Sequence, residues 1–188
     1  MADSETPTPA RPSGRQPAAV LVGFMGAGKS TVGRLLADRL GVDFVDTDTE
    51  IVRRTGRSIP EIFVADGNSG FRKIERNVVA DVLRNHAGIV SLGGGAVTTP
   101  EIREALIGHR VVHLRIGPDA GFARVAGTDR PLLGTDDPRA RYAELLAERA
   151  DTYAGVATIE VDAHADPESV ADEIVTALAR ELLPERTT

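Results

Sequence analysis

The chain has no cysteine, which excludes disulfides and thiol catalysis and fits a reducing compartment. No apolar run approaches the length needed to span a membrane. The first 17 residues, MADSETPTPARPSGRQP, lack the apolar stretch of a signal peptide and read as a disordered, Pro/Ser/Thr-rich tail. Lysine is scarce, occurring only at Lys29 and Lys73, so nearly all positive charge is arginine. Arginine forks suit carboxylates and phosphates. An excess of positive charge is also missing. The net charge of −6 and pI near 5.3 leave no electrostatic footprint for nucleic acid or an anionic membrane. The remainder is ordinary for a globular protein: 188 residues, 41% hydrophobic and 27% charged, enough for one domain with a full core.

Against that background one segment stands out. Gly23-Phe24-Met25-Gly26-Ala27-Gly28-Lys29-Ser30-Thr31 fits G-x-x-x-x-G-K-[ST], between an apolar run at 18–22 and a helical pattern. The glycines let the backbone turn and aim its N–H groups at phosphate oxygens. The helix that opens at Lys29 presents an electropositive end to an anion. Lys29 is placed to reach the β- and γ-phosphates, and Ser30 to hold Mg²⁺ through its hydroxyl. The segment reads as a nucleotide-phosphate site.

From residue 18 the pattern alternates. Strands are expected at 18–22, 42–45, 88–92, 110–116 and 158–161. Helices are expected at 30–40, near 48–55, 59–65 and 71–84, then at 100–106, 119–125, 140–153 and 168–183. Residues 126–138 are turn-rich and aperiodic. Strands joined by crossover helices imply a parallel sheet covered on both faces, an α/β fold with its ligand crevice at the carboxyl ends of the strands.

Several polar clusters map to that rim. Asp46-Thr47-Asp48 follows the second strand. Thr47 and Glu50 match a capping box, while beside a phosphate loop one carboxylate can serve Mg²⁺ and the other a substrate hydroxyl. Arg72 and Glu75 share a helix face. Gly93-Gly94-Gly95 after the third strand permits a ligand to approach the backbone. Arg130 lies in the aperiodic segment, as a lid cation would. Arg149 stands four residues before Tyr153.

The ordered set resembles the shikimate kinase family over almost the whole chain from Ala18 to about Leu182. It comprises GFMGAGKST, DTD at 46–48, GRSIPEIF at 56–63, FRKIE at 71–75, SLGGGA at 91–96, RPLL at 130–133 and the Arg149-to-Tyr153 spacing. The resemblance implies a P-loop kinase fold with a five-stranded parallel sheet. It implies one domain at 18–183 between the N-terminal tail and a short tail at 184–188, with a substrate-binding region at about 47–76 and a mobile lid at about 126–138. The implied reaction moves the ATP γ-phosphoryl group to the 3-hydroxyl of shikimate, in chorismate and aromatic amino-acid biosynthesis, in a cytoplasmic monomer.

It also implies roles at matching positions. Gly26, Ala27, Gly28, Lys29, Ser30 and Thr31 would hold the ATP phosphates, with Ser30 a direct Mg²⁺ ligand and Asp46 acting through water. Asp48 would bind the shikimate hydroxyls and act as base. Arg72 and Arg149 would clamp the shikimate carboxylate, with Glu75 orienting Arg72. Gly94 and Gly95 would contact the substrate through their backbone, and Phe63 and Phe71 would wall its apolar side. Arg130 would reach the phosphates, and Arg124 with Pro167 would sandwich adenine. The segment between Arg124 and Arg130 is about one residue shorter than the family pattern, and Asn68 stands where that pattern often has an acid. Two alternatives differ in their expected features: a gluconate kinase would carry another acid motif after the second strand, and a non-catalytic nucleotide-binding protein would have no need of Lys29, Asp48, Arg72 and Arg149 together.

Overall fold

The computed structural model describes residues 16–126 and 136–181 of the chain. Its elements alternate as expected: β1 (Ala19–Val22), α1 (Lys29–Leu40), β2 (Phe44–Asp46), α2 (Thr47–Thr55), α3 (Ile59–Asn85), β3 (Ile89–Ser91), α4 (Pro100–Ala105), β4 (Val111–Arg115), α5 (Pro118–Val125), α6 (Pro138–Val156), β5 (Ile159–Asp162) and α7 (Pro167–Glu181). A single 3₁₀ turn, Ala96–Thr98, precedes α4. The five strands form one parallel sheet in the order β2-β3-β1-β4-β5. The neighbouring strands β1 and β3 send their connections to opposite faces of the sheet, α1 to one and α4 to the other, so a crevice opens at their carboxyl ends.

The three central strands β1, β3 and β4 are buried on both faces because they are largely apolar at successive positions rather than alternate ones. Val20, Val22, Val90 and Val111 face Val79 and Val82 of α3 and Tyr142, Leu145 and Tyr153 of α6. Leu21, Ile89, Val112 and Leu114 face Leu36 of α1 and Val170 and Ile174 of α7. Removing one of these fully buried side chains, as in Leu36→Ala, should cost about 2–5 kcal/mol.

The stretches expected as helices at 59–65 and 71–84 are two helices, run together as α3 and separated by a kink at Gly67, whose φ of 68° and ψ of −178° are non-helical. A side chain there would be strained, so glycine makes the kink tolerable. The capping box expected of Thr47 and Glu50 does not form. Asp46 is the N-cap of α2, accepting hydrogen bonds from the N–H groups of Asp48 and Thr49. Glu50 instead receives Arg53 and Arg54. A capping box does form one helix later, between Ser58 and Glu61.

Candidate active site

The loop between β1 and α1 has the backbone that its glycines suggested. Gly26 and Gly28 have φ of 82° and 87°. A Cβ on Gly26 would also lie 2.5 Å from the Gly121 carbonyl oxygen. Met25 is held from the other side by the Tyr142 hydroxyl, which donates to its carbonyl at 2.6 Å. Ala27 is buried under the loop, whereas Thr31 is exposed in the first turn of α1. No acid occupies that first turn, so the positive end of the helix dipole is unopposed locally. Lys29 Nζ donates to the carbonyls of Gly23 at 2.8 Å and Phe24 at 3.3 Å, which curls the ammonium over the loop it would share with phosphates.

Ser30 donates its hydroxyl to Asp46 Oδ2 at 2.7 Å. The other oxygen of Asp46 is engaged in capping α2, so the carboxylate is oriented toward the serine. A hydroxyl and a carboxylate are hard oxygen donors of the kind Mg²⁺ takes, the remaining positions being filled by phosphate and water. Among the described residues no group of three or more His, Cys, Asp or Glu could hold a metal. The donor set therefore fits a nucleotide-bound Mg²⁺ and not a cation caged by protein alone.

On the far side of the crevice α2, α3, the Gly93–Gly95 turn and α6 converge. Thr47 is fully buried, and its hydroxyl accepts from the Gly93 N–H at 3.1 Å, tying α2 to the turn. A Cβ on Gly93 would collide with Asp48 Oδ1 and come within 3.2 Å of Glu75 Oε1. A Cβ on Gly95 would lie 2.7 Å from Arg72 Nη2. Arg149 Nη1 reaches the Gly94 carbonyl at 3.4 Å, and the Tyr153 hydroxyl donates to the same oxygen. The guanidinium groups of α3 and α6 thus meet on two adjacent residues of one turn.

The ion pair of Arg72 and Glu75 has the expected spacing but an unexpected setting. Glu75 is 1% exposed, so this is a buried carboxylate and not a surface contact. Burial pushes its carboxyl above the ordinary value, against the opposing pull of Arg72; Asp48 adds to the rise and Arg149 opposes it. That mutual influence is consistent with Asp48, Arg72, Glu75 and Arg149 forming one electrostatic group. Phe63 stacks on Phe71 with centroids 4.4 Å apart. Arg72 lies 5.3 Å from the Phe71 ring centroid and Arg149 the same distance from that of Phe24. Both cations therefore rest on apolar platforms beside the cleft.

At the nucleotide end, Arg124 Nη1 donates to the Gly26 carbonyl at 3.3 Å, and Nη2 reaches the His164 carbonyl at 3.5 Å. This places Arg124 between the phosphate loop and the turn leading to Pro167, which is exposed at the start of α7. Arg130 lies outside the described residues. Sequence reasoning overlooked the parts played by Thr47, Tyr142 and Phe24, and noted Tyr153 only for its spacing. Each acts across a contact between distant segments, as with the 117 residues separating Tyr142 from Met25, and no local pattern announces such a contact.

Comparison with known proteins agrees with this geometry. The family model described as shikimate kinase matches residues 25–179. The shikimate kinase of Mycobacterium avium is 52% identical over 164 residues, covering 86% of this chain and 93% of that protein. Among solved structures, shikimate kinase from Acinetobacter baumannii in complex with shikimate superposes with a TM-score of 0.85 at 35% identity, covering 90% of this chain and 96% of that one. A gluconokinase from Sinorhizobium meliloti superposes with a TM-score of 0.56 at 21% identity over 89% of this chain and 94% of that one, a likeness of fold alone.

Proposed function

The chain belongs to the shikimate kinase family, and on that premise we propose that its crevice transfers the γ-phosphoryl group of ATP to the 3-hydroxyl of shikimate, giving shikimate 3-phosphate and ADP. The observation that carries the reading is the meeting of Arg72 and Arg149 at Gly94 and Gly95. Two guanidinium forks offer a planar carboxylate a bidentate, charge-assisted site. Within the same cluster Asp48, beside Gly93, supplies the acceptor for a hydroxyl.

The residues divide the work by position. The turn at Gly26 to Gly28, with Lys29 and Thr31, binds the triphosphate, while Arg124 and Pro167 border the base. Ser30 and Asp46 would hold Mg²⁺, which when bound neutralises charge on the phosphates. Asp48 orients the attacking hydroxyl and accepts its proton. Glu75 fixes Arg72, Phe63 and Phe71 line the apolar side of the ring, and the Gly94-Gly95 backbone closes against it. Arg130, outside the described residues, is assigned to the phosphates. Phosphoryl transfer needs chiefly alignment and charge stabilisation, so this inventory is chemically sufficient. We further assign the chain to chorismate synthesis as a cytoplasmic monomer. Among the described residues no helix is long and apolar enough to cross a membrane.

The test is ADP formation by the purified chain with Mg·ATP and either shikimate, gluconate or no acceptor. Stimulation by shikimate alone is expected. Equal stimulation by gluconate would favour a general sugar-acid kinase, and none by either would favour a nucleotide-binding protein without this activity.

A further inference from the structure

His113 is a buried polar residue for which the proposed reaction has no direct use. It lies in the middle of β4, in register with Val22 of β1 on one side and Glu160 of β5 on the other. Its Nδ1 donates to Glu160 Oε1 at 3.0 Å, and its ring stacks on Tyr153 of α6, with centroids 5.1 Å apart and planes inclined by 17°. Tyr153 is 1% exposed, and its hydroxyl ends on the Gly94 carbonyl that also receives Arg149. A continuous path thus runs from an edge strand to the turn beneath the proposed carboxylate site.

The alternative, that His113 merely fills core volume, accounts poorly for its surroundings. An apolar side chain would fill the space without needing a partner on β5, and the neighbouring strand positions Val111, Val112 and Leu114 are all apolar. A cleft of about 380 Å³ opens beside the ring, between β4, β5 and α6, and Glu160 is among its lining residues. Packing on that side is therefore incomplete, and the Glu160 contact is what restrains the imidazole plane. A ring restrained in this way limits the tilt of the tyrosine stacked on it, as outer partners restrain the orientation of groups that bind ligand.

We propose that His113, held by Glu160, is a positioning residue for the substrate pocket, acting through Tyr153 on the Gly94 carbonyl and on Arg149. The inference rests on the assignment of that pocket to shikimate. It concerns binding of the acceptor substrate, because the path ends at Gly94 and Arg149 and touches neither Lys29 nor the Ser30–Asp46 pair.

The test compares His113→Ala, His113→Phe, Tyr153→Phe and the double variant His113→Ala/Tyr153→Phe in the full chain, by shikimate and ATP titration and by steady-state kinetics. Loss of an aromatic stack should raise the shikimate constant of His113→Ala about threefold to tenfold. The ATP constant and kcat should stay within about twofold, the additivity expected of distant sites. His113→Phe, which keeps the stack but loses the Glu160 contact, should bind shikimate more weakly than the parent and more tightly than His113→Ala. In the Tyr153→Phe background His113→Ala should add little, since both lie on one path. Equal loss of ATP and shikimate affinity, or full additivity in the double variant, would overturn the proposal. If His113→Ala fails to fold, His113→Leu against His113→Phe decides: weaker shikimate binding in the leucine variant than in the phenylalanine variant supports the path, and equal behaviour overturns it. Failure of the parent chain to bind shikimate would instead refute the assignment of the pocket itself.

Discussion

Arg72 Nη1 and Glu75 Oε2 are 2.5 Å apart in an ion pair whose carboxylate is 1% exposed. Such a pair is seldom a net source of stability, because desolvating two charges offsets their attraction. Its value lies in aim. Glu75 takes one edge of the guanidinium and leaves Nη2 directed at Gly95, so the cation is already oriented before a carboxylate arrives.

Arg72→Ala and Arg149→Ala should each weaken shikimate binding by about 2–4 kcal/mol, the usual loss when one partner of a desolvated charge contact is removed. ATP binding should change far less. Titration of both ligands on both variants checks this, and comparable losses for the two ligands would defeat the assignment. Arg→Lys should also be costly at either site, because an ammonium lacks the fork.

Gly95→Ala should separate binding from folding. The new methyl group would displace a flexible guanidinium and no backbone atom, and Gly95 has an ordinary φ of −102°. The melting temperature should therefore change little while the shikimate constant rises about tenfold or more, as mispositioned binding groups commonly cause. Unaltered shikimate binding would show that Arg72 does not need its present orientation.

Glu75 gives a pH dependence of definite sign. Its folded-state carboxyl titrates above the ordinary 4.5 because of burial, so the native state holds this proton more tightly than the unfolded chain. The resulting stabilisation is fully present below about pH 4.5 and is lost as pH rises through the folded value. Urea unfolding should thus show the stability of the parent relative to Glu75→Gln falling from pH 4.5 toward neutrality. A rise over the same interval would mean that pairing with Arg72, and not burial, dominates.

Asp48 and Asp46 stand close in sequence but should fail differently. Asp48→Asn keeps two hydrogen-bonding positions yet cannot accept a proton near neutral pH, so turnover should fall by ~10²–10⁴ along with a weaker apparent affinity for shikimate. Asp46→Asn alters the partner of Ser30 and should show itself in the Mg²⁺ dependence, with shikimate binding nearly intact. Near-normal turnover of Asp48→Asn at saturating shikimate would remove the base role and leave only positioning.

The phosphate loop, the five strands and the acids at the rim were legible because each rests on short-range pattern: glycine spacing, apolar runs, and polar residues just past strand ends. The break within α3 was legible too, because Gly67 falls in the gap between the helices expected at 59–65 and 71–84. The capping of α2 was misread by one residue because Asp46 and Thr47 are both competent caps, and contact with Gly93 decides between them. The burial of Glu75 was hidden for a similar reason. An i,i+3 pair reads as solvent-exposed until the turn at Gly93 and the helix bearing Arg149 are laid over it.

The central claim is tested most directly by the product. Mg·ATP and shikimate incubated with the full chain should yield ADP and one phosphate monoester in equal amounts, with phosphorus NMR placing the ester on the 3-hydroxyl. The same mixture with Lys29→Ala, which lacks the phosphate-loop cation, should yield almost none. Release of inorganic phosphate without a shikimate ester, or esterification at another hydroxyl, would contradict the account.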